Sequence, residues 1–422
     1  MLTIPQIALF FASSCFLWVL HAHAESNLTL TEAIDLATQS QPLLQSLDAA
    51  AAASRQAAIA EGQLPDPKFK LGLVNLPVTT RDALRLDRDD QTAINIGYSQ
   101  EMIPQKKREL ASNRLLAMAD EFHSEQLATA RTIQRDVALA WLDVFEAQRK
   151  SELYQRTVAE MSAERKVQAA AISSGGAKTS DVLRLDTEIS MTNEKYIFAV
   201  RDERKARAAL ARWIGQSAAR SIAPELPAIP DSFNISNAAA EIEKHPLLQN
   251  AYQTEKVAQL DAEGAQANLQ RNWGWEVGYG KRFADRSDML SVQISVDLQL
   301  DRANRQDRRT AEKLVLVEKA QQLTQDKRRE LLAELDSAMA DVQAATAREN
   351  VHLNSLIPNA NARLVIAQTG YAVGKNPLSD VWEARRGVIE IEMEHWVILT
   401  DRQRAAVKIG YLLNDATLFK QN

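Results

Sequence analysis

Two carboxylates three residues apart, Asp380 and Glu383, follow a turn-forming run from Gly374 to Pro377. At that spacing on a helix both side chains share one face. Repeated by symmetry around a pore, they would form stacked acidic rings, which favour cations and oppose anions. Capping and dipole compensation at a helix N-terminus account for the same spacing equally well. An earlier stretch carries Asp181, but Arg184 stands where the second acid would be. Arg184 paired with an acidic neighbour would support a closed tip, and an ordinary surface ion pair is an equal alternative. Glu390, Glu392, Glu394 and His395 crowd one segment. Only Glu390 and Glu394 are helical neighbours, so the segment reads as a solvated face rather than a metal site. The histidines outside the N-terminal segment, His123, His245, His352 and His395, lie far apart, and no phosphate loop, zinc motif or serine elbow is present. The sequence thus points to no catalytic residue, no metal and no cofactor, and the net charge of −5 argues against a nucleic-acid partner.

The elements that must position these acids are long helices. No proline or glycine occurs from Lys106 to Ser174. Val137, Trp141, Val144 and Phe145 form a helical stripe. One helix of about 70 residues would run roughly 105 Å. A break at Ser173 to Gly176 and a second helix to about Gly215 complete a hairpin with its tip at about 173–180. A second hairpin is expected from about Asn304 to Thr369 and from Leu378 to Leu413, with its tip at about 370–378. Pro358 should kink its first arm. A shorter helix, Leu30 to Gln63, and the return helix would match the long helix if stacked end to end.

The chain repeats this plan. Ser180-Asp181-Val182 recurs as Ser379-Asp380-Val381 after 199 positions, and Gln41-Pro42-Leu43-Leu44-Gln45 recurs as His245-Pro246-Leu247-Leu248-Gln249 after 204. Repeat 1 covers 25–215 and repeat 2 covers 236–414. A proline-containing linker at 216–235 joins them, and 415–422 form a tail. Residues 1–24 contain no Asp, Glu, Lys or Arg and end Ala22-His23-Ala24, the pattern of a cleaved signal peptide. The single cysteine, Cys15, lies within that segment, in a poor context for lipid attachment.

Each repeat also contains two alternating segments, at about 68–76 and 92–100, then 273–281 and 290–300. Leu290, Val292, Ile294, Val296, Leu298 and Leu300 alternate with Ser291, Gln293, Ser295, Asp297 and Gln299. Strands of 9–11 residues with apolar-out, polar-in alternation are the signature of a transmembrane barrel. Four strands leave open edges that lipid does not tolerate, so several chains must share one barrel, and three would supply twelve strands.

Tyr371-Ala-Val-Gly374-Lys-Asn-Pro377-Leu378-Ser-Asp380-Val381-Trp-Glu383 resembles the turn motif of the TolC-type outer-membrane efflux channel family. Gly176 to Leu183 resembles its first-repeat counterpart, and Arg207 to Gly215 resembles the end of the return helix. The resemblance spans both repeats. It implies a mainly α fold with a small β part: a homotrimer with a twelve-stranded barrel in the outer-membrane lipid, continuous with a periplasmic α-helical barrel. It also implies a periplasmic adaptor protein and an inner-membrane RND pump as partners. Asp380 and Glu383, and these two residues only, match the family's periplasmic constriction. The turns at Gly175-Gly176 and at Gly374 and Pro377 would face the adaptor. Leu64-Pro-Asp-Pro-Lys-Phe-Lys-Leu-Gly72 is similar to the heavy-metal branch, the CzcC/CusC-like channels. A multidrug or type I secretion duct is the alternative within this fold. A periplasmic coiled-coil adaptor or scaffold is the alternative outside it.

Overall fold

The computed structural model describes residues 27–39, 41–172, 178–230, 233 and 237–414. The proposed signal peptide with Cys15, the turn containing Gly175 and Gly176, and the tail lie outside the described residues.

Helix α1 (Leu30–Gln39) and helix α2 (Pro42–Glu61) replace the single segment expected from 30 to 63. The break is chemical. A residue preceding proline is pushed out of the helical region, and Gln41 is extended at φ −89°, ψ 120°. Pro42 then opens α2, where its missing N–H costs nothing. Strands β1 (Lys68–Val74) and β2 (Ala93–Met102) follow. β1 stops short of residue 76 because Asn75 turns the chain with a positive φ of 55°.

Helix α3 (Gln105–Ile172) runs unbroken for 68 residues, about 100 Å. Helix α4 (Thr179–Ile214) returns alongside it and ends at Gly215, whose φ of +60° suits glycine. The linker is less irregular than its prolines suggest. A 3-10 turn spans Gly215–Ala219, and Ile222 forms a parallel bridge with Leu28.

Repeat 2 contains α5 (Ala238–Glu243), α6 (Pro246–Ala267), β3 (Trp273–Arg282) and β4 (Met289–Val296). The expected strand to Leu300 ends four residues early. Val296 pairs with Trp273, the first residue of β3, so later residues have no partner strand. Leu300 is 90% exposed there. Helix α7 (Gln306–Val351) begins two residues later than expected and does not run to Thr369. It passes through a wide π-turn at His352–Leu356 into α8 (Ile357–Ala372). Pro358 offers no N–H, and its ring crowds the carbonyl of Asn354, so the backbone widens just upstream. Helix α9 (Leu378–Leu412) returns.

The helices lie side by side. In the half nearer the sheet, α2 packs on α3, α3 on α6, and α6 on α7. In the other half α4 packs on α3, α3 on α9, and α9 on α7 and α8. The residues preceding the two prolines join these halves end to end. Gln41 Nε2 donates to the Trp213 carbonyl at 2.9 Å, and the His245 ring meets Tyr411 edge-on at 4.9 Å. Among the described residues, three apolar clusters hold the helices together. One surrounds Trp141 and Phe145 with Leu28, Leu30, Ile34, Leu210 and Ile222. A second gathers Ile242, Leu248, Leu331, Leu335 and Tyr411. A third lies near the tips.

Candidate functional site: the sheet and the hairpin tips

The four strands form one antiparallel sheet in the order β1-β2-β3-β4, so the repeats meet through β2 and β3. The register aligns every alternation. Phe69 lies opposite Tyr98, Tyr98 opposite Val277, and Val277 opposite Val292. Leu71, Ile96, Tyr279 and Leu290 form the next row. These side chains share one face, and no helix among the described residues covers it. Phe69 is 69% exposed, Leu71 68%, Leu290 72%, and Val292 and Ile294 68% each. Water-soluble surfaces rarely carry so continuous an apolar patch. Trp273, Trp275 and Tyr98 lie toward the helix-side end, with the Tyr98 and Trp275 rings 5.8 Å apart, as in the aromatic girdles of membrane barrels.

The opposite face is polar. Lys70 Nζ meets Glu276 Oε2 at 2.5 Å across Gly97. Glycine at 278 leaves room for polar neighbours, since a β-carbon there would lie 2.7 Å from Ser291 Oγ. β1 and β4 each have one edge with no strand partner among the described residues. The edge helices are likewise uncovered: Ile197 and Phe198 on α4, Leu314 and Val315 on α7, and Val365 and Ile366 on α8 are all exposed.

The second tip turns at Gly374, where φ is +72°, and the Lys375 and Asn376 amides donate to the Gly370 carbonyl at 2.8 and 3.1 Å. Pro377 precedes α9 in an extended conformation, with no side-chain cap. Buried Leu378, Val381 and Trp382 anchor this first turn against Met161 of α3 and Leu185 of α4. Asp380 is left exposed, and its carboxylate makes no capping bond to the backbone. Glu383 is also exposed but not alone. Its Oε1 lies 2.5 Å from Arg363 Nη2 on α8, so its charge is matched within its own hairpin.

In the first repeat Asp181 is half-buried and Arg184 exposed, and Arg184 forms no ion pair among the described residues. Its neighbour Asp186 takes the cation instead. Arg165 Nε lies 2.5 Å away, and that hydrogen bond holds the Asp186 carboxyl below the usual carboxylate range.

Sequence reasoning overlooked the groups that join the two hairpins. Arg385 Nη1 reaches Glu164 Oε2 at 2.6 Å, and Arg386 Nη1 reaches Glu188 Oε1 at 3.0 Å. Tyr371 and Gln168 approach within 3.4 Å. The adjacent arginines after Glu383 were the available signal. Their acceptors, more than 190 positions away, were not recognisable.

No protein-family model matches this sequence, and no curated protein matches it. Solved structures do. VceC, an outer membrane protein of Vibrio cholerae, superposes with a TM-score of 0.72 at 15% identity, over 91% of this chain and 95% of that one. CusC gives 0.75 at 12% identity, over 91% of each chain. The Campylobacter jejuni CmeC outer membrane channel gives 0.75 at 10%, over 91% and 85%. The fold is that of an outer-membrane channel. The similar scores do not rank one of these channels above another as a guide to substrate.

Proposed function

We propose that the chain is an outer-membrane exit duct that works as a homotrimer, not an enzyme. The observation that carries this reading is the sheet, with one uncovered apolar face, one polar face and two open edges. Lipid satisfies the first, and a water-filled lumen the second. The edges are satisfied only if β4 of one copy pairs with β1 of the next. The helices follow the same order with the same open ends, so three copies close a helical tunnel below the barrel. A soluble adaptor or scaffold has no use for the apolar face. The tunnel extends into the periplasm, where its tips meet an adaptor fed by an inner-membrane RND pump. The resemblance of Leu64 to Gly72 to the heavy-metal branch supports metal cations as cargo.

Asp380 and Glu383 form the acidic periplasmic mouth. With Glu383 matched by Arg363, most of the unneutralised charge rests on Asp380. Mass measurement in detergent tests the assembly: a trimer is expected, and a stable monomer with folded β-structure would refute it. Planar-bilayer conductance tests the mouth. The pair Asp380→Asn and Glu383→Gln should lower cation preference and weaken block by multivalent cations from the periplasmic side. Unaltered ion preference would remove the gate assignment.

A further inference from the structure

The π-turn after α7 places a second histidine beside one on α9. The His352 and His395 rings have centroids 6.1 Å apart and planes inclined by 21°. His352 is only 4% exposed. Nδ1 of each ring is buried and has no hydrogen-bond partner among the described residues. A buried, unpartnered polar nitrogen is costly, so two side by side in one helix seam call for an explanation. Glu349 acts electrostatically on His395 and is bonded to Arg402 Nη1 at 2.9 Å, while Trp396 packs 6.4 Å from His395.

We propose that His352 and His395 form a two-coordinate site for a soft monovalent d10 cation, Cu(I) or Ag(I). Imidazole nitrogens bind such ions through a neutral lone pair, so no proton need leave. Two imidazole nitrogens on opposite sides of one such ion put the ring centres roughly 6–6.5 Å apart, close to the 6.1 Å separation of these two rings. The donor count selects the ion. Zinc asks for four ligands, and among the described residues no three His, Cys, Asp or Glu side chains cluster as a metal site. The site bridges the π-turn and α9, so a bound ion would tie the two arms of the second hairpin together. It does not depend on the exit-duct reading.

Silver(I) nitrate in chloride-free buffer is the probe, added to the full chain in detergent. Equilibrium dialysis with metal analysis should find one more silver per protomer in the wild type than in the His352→Leu, His395→Leu variant, and His123→Gln should match the wild type. Equal silver in the wild type and the double variant would overturn the site. If the double variant fails to fold, histidine-labelled wild-type protein still decides. Silver should shift the Nδ1 resonances of two histidines together, and X-ray absorption should show two nitrogen neighbours. Sulfur neighbours, or no paired shift, would assign the silver to methionine and end the proposal.

Discussion

The two long arms, α3 in repeat 1 and α7 to α8 in repeat 2, occupy equivalent places in their hairpins yet differ in continuity and in load. α3 is straight through because no proline interrupts it, and it packs against α1, α2, α4, α6 and α9. The second arm is interrupted by the π-turn before Pro358 and lies at the margin, packed chiefly on α6 and α9. The same plan of two strands and a long helical hairpin occurs twice along the described chain. Position within the slab then made one copy a central beam and the other an edge, free to carry a widened turn and uncovered apolar side chains.

The largest expected effect separates these loads. Trp141 is fully buried on α3 and donates through Nε1 to the Leu28 carbonyl at 3.0 Å. Trp141→Ala should cost about 3–5 kcal/mol, while Leu335→Ala on α7 should fall at the lower end of about 2–5 kcal/mol. Denaturation followed by circular dichroism checks the order, and a larger loss at Leu335 would invert the comparison. The sheet should show an equally sharp contrast between faces. Ile294→Arg should cost about 2–4 kcal/mol of folding into lipid vesicles, and Gln293→Arg at most about 1 kcal/mol. Equal damage would mean that the exposed face does not meet lipid.

The two pre-proline joints differ in their response to acid. Gln41 does not titrate. Burial, with Arg131 and Arg135 nearby, pushes His245 down to about 4, so the folded joint resists a proton that the unfolded chain accepts near 6.5. Stability should therefore fall as pH drops from about 6.5 to 4, by at most about 3 kcal/mol, and level off below. His245→Asn retains a helix-capping side chain and should flatten this slope. Denaturation midpoints across that range, unchanged in slope, would remove the role of His245. The smallest effect concerns the interruption itself. Pro358→Ala should change stability by less than about 1 kcal/mol. Amide exchange at 352–356 should nevertheless slow as the turn tightens into a regular helix. If exchange is unchanged, the proline does not cause the π-turn.

Much of this architecture is written in local pattern. Period-two alternation marks all four strands and the absence of proline and glycine marks α3, whereas the break at Gln41 before Pro42, an equally local signal, is not part of the continuous helix expected from 30 to 63. These are properties of consecutive residues, and backbone sterics enforce them wherever the segment lies. Other features depended on a partner remote in the chain. β4 ends at Val296 because β3 begins at Trp273, although the alternation itself continues to Leu300. Glu383 is matched by Arg363 because α8 runs beside α9, and Arg385 reaches Glu164 only because the hairpins pack together. His352 and His395 meet because a widened turn faces α9 across the seam. Side-chain period and helix breaking act over a few residues, whereas charge pairing and strand ends depend on which surfaces are brought together.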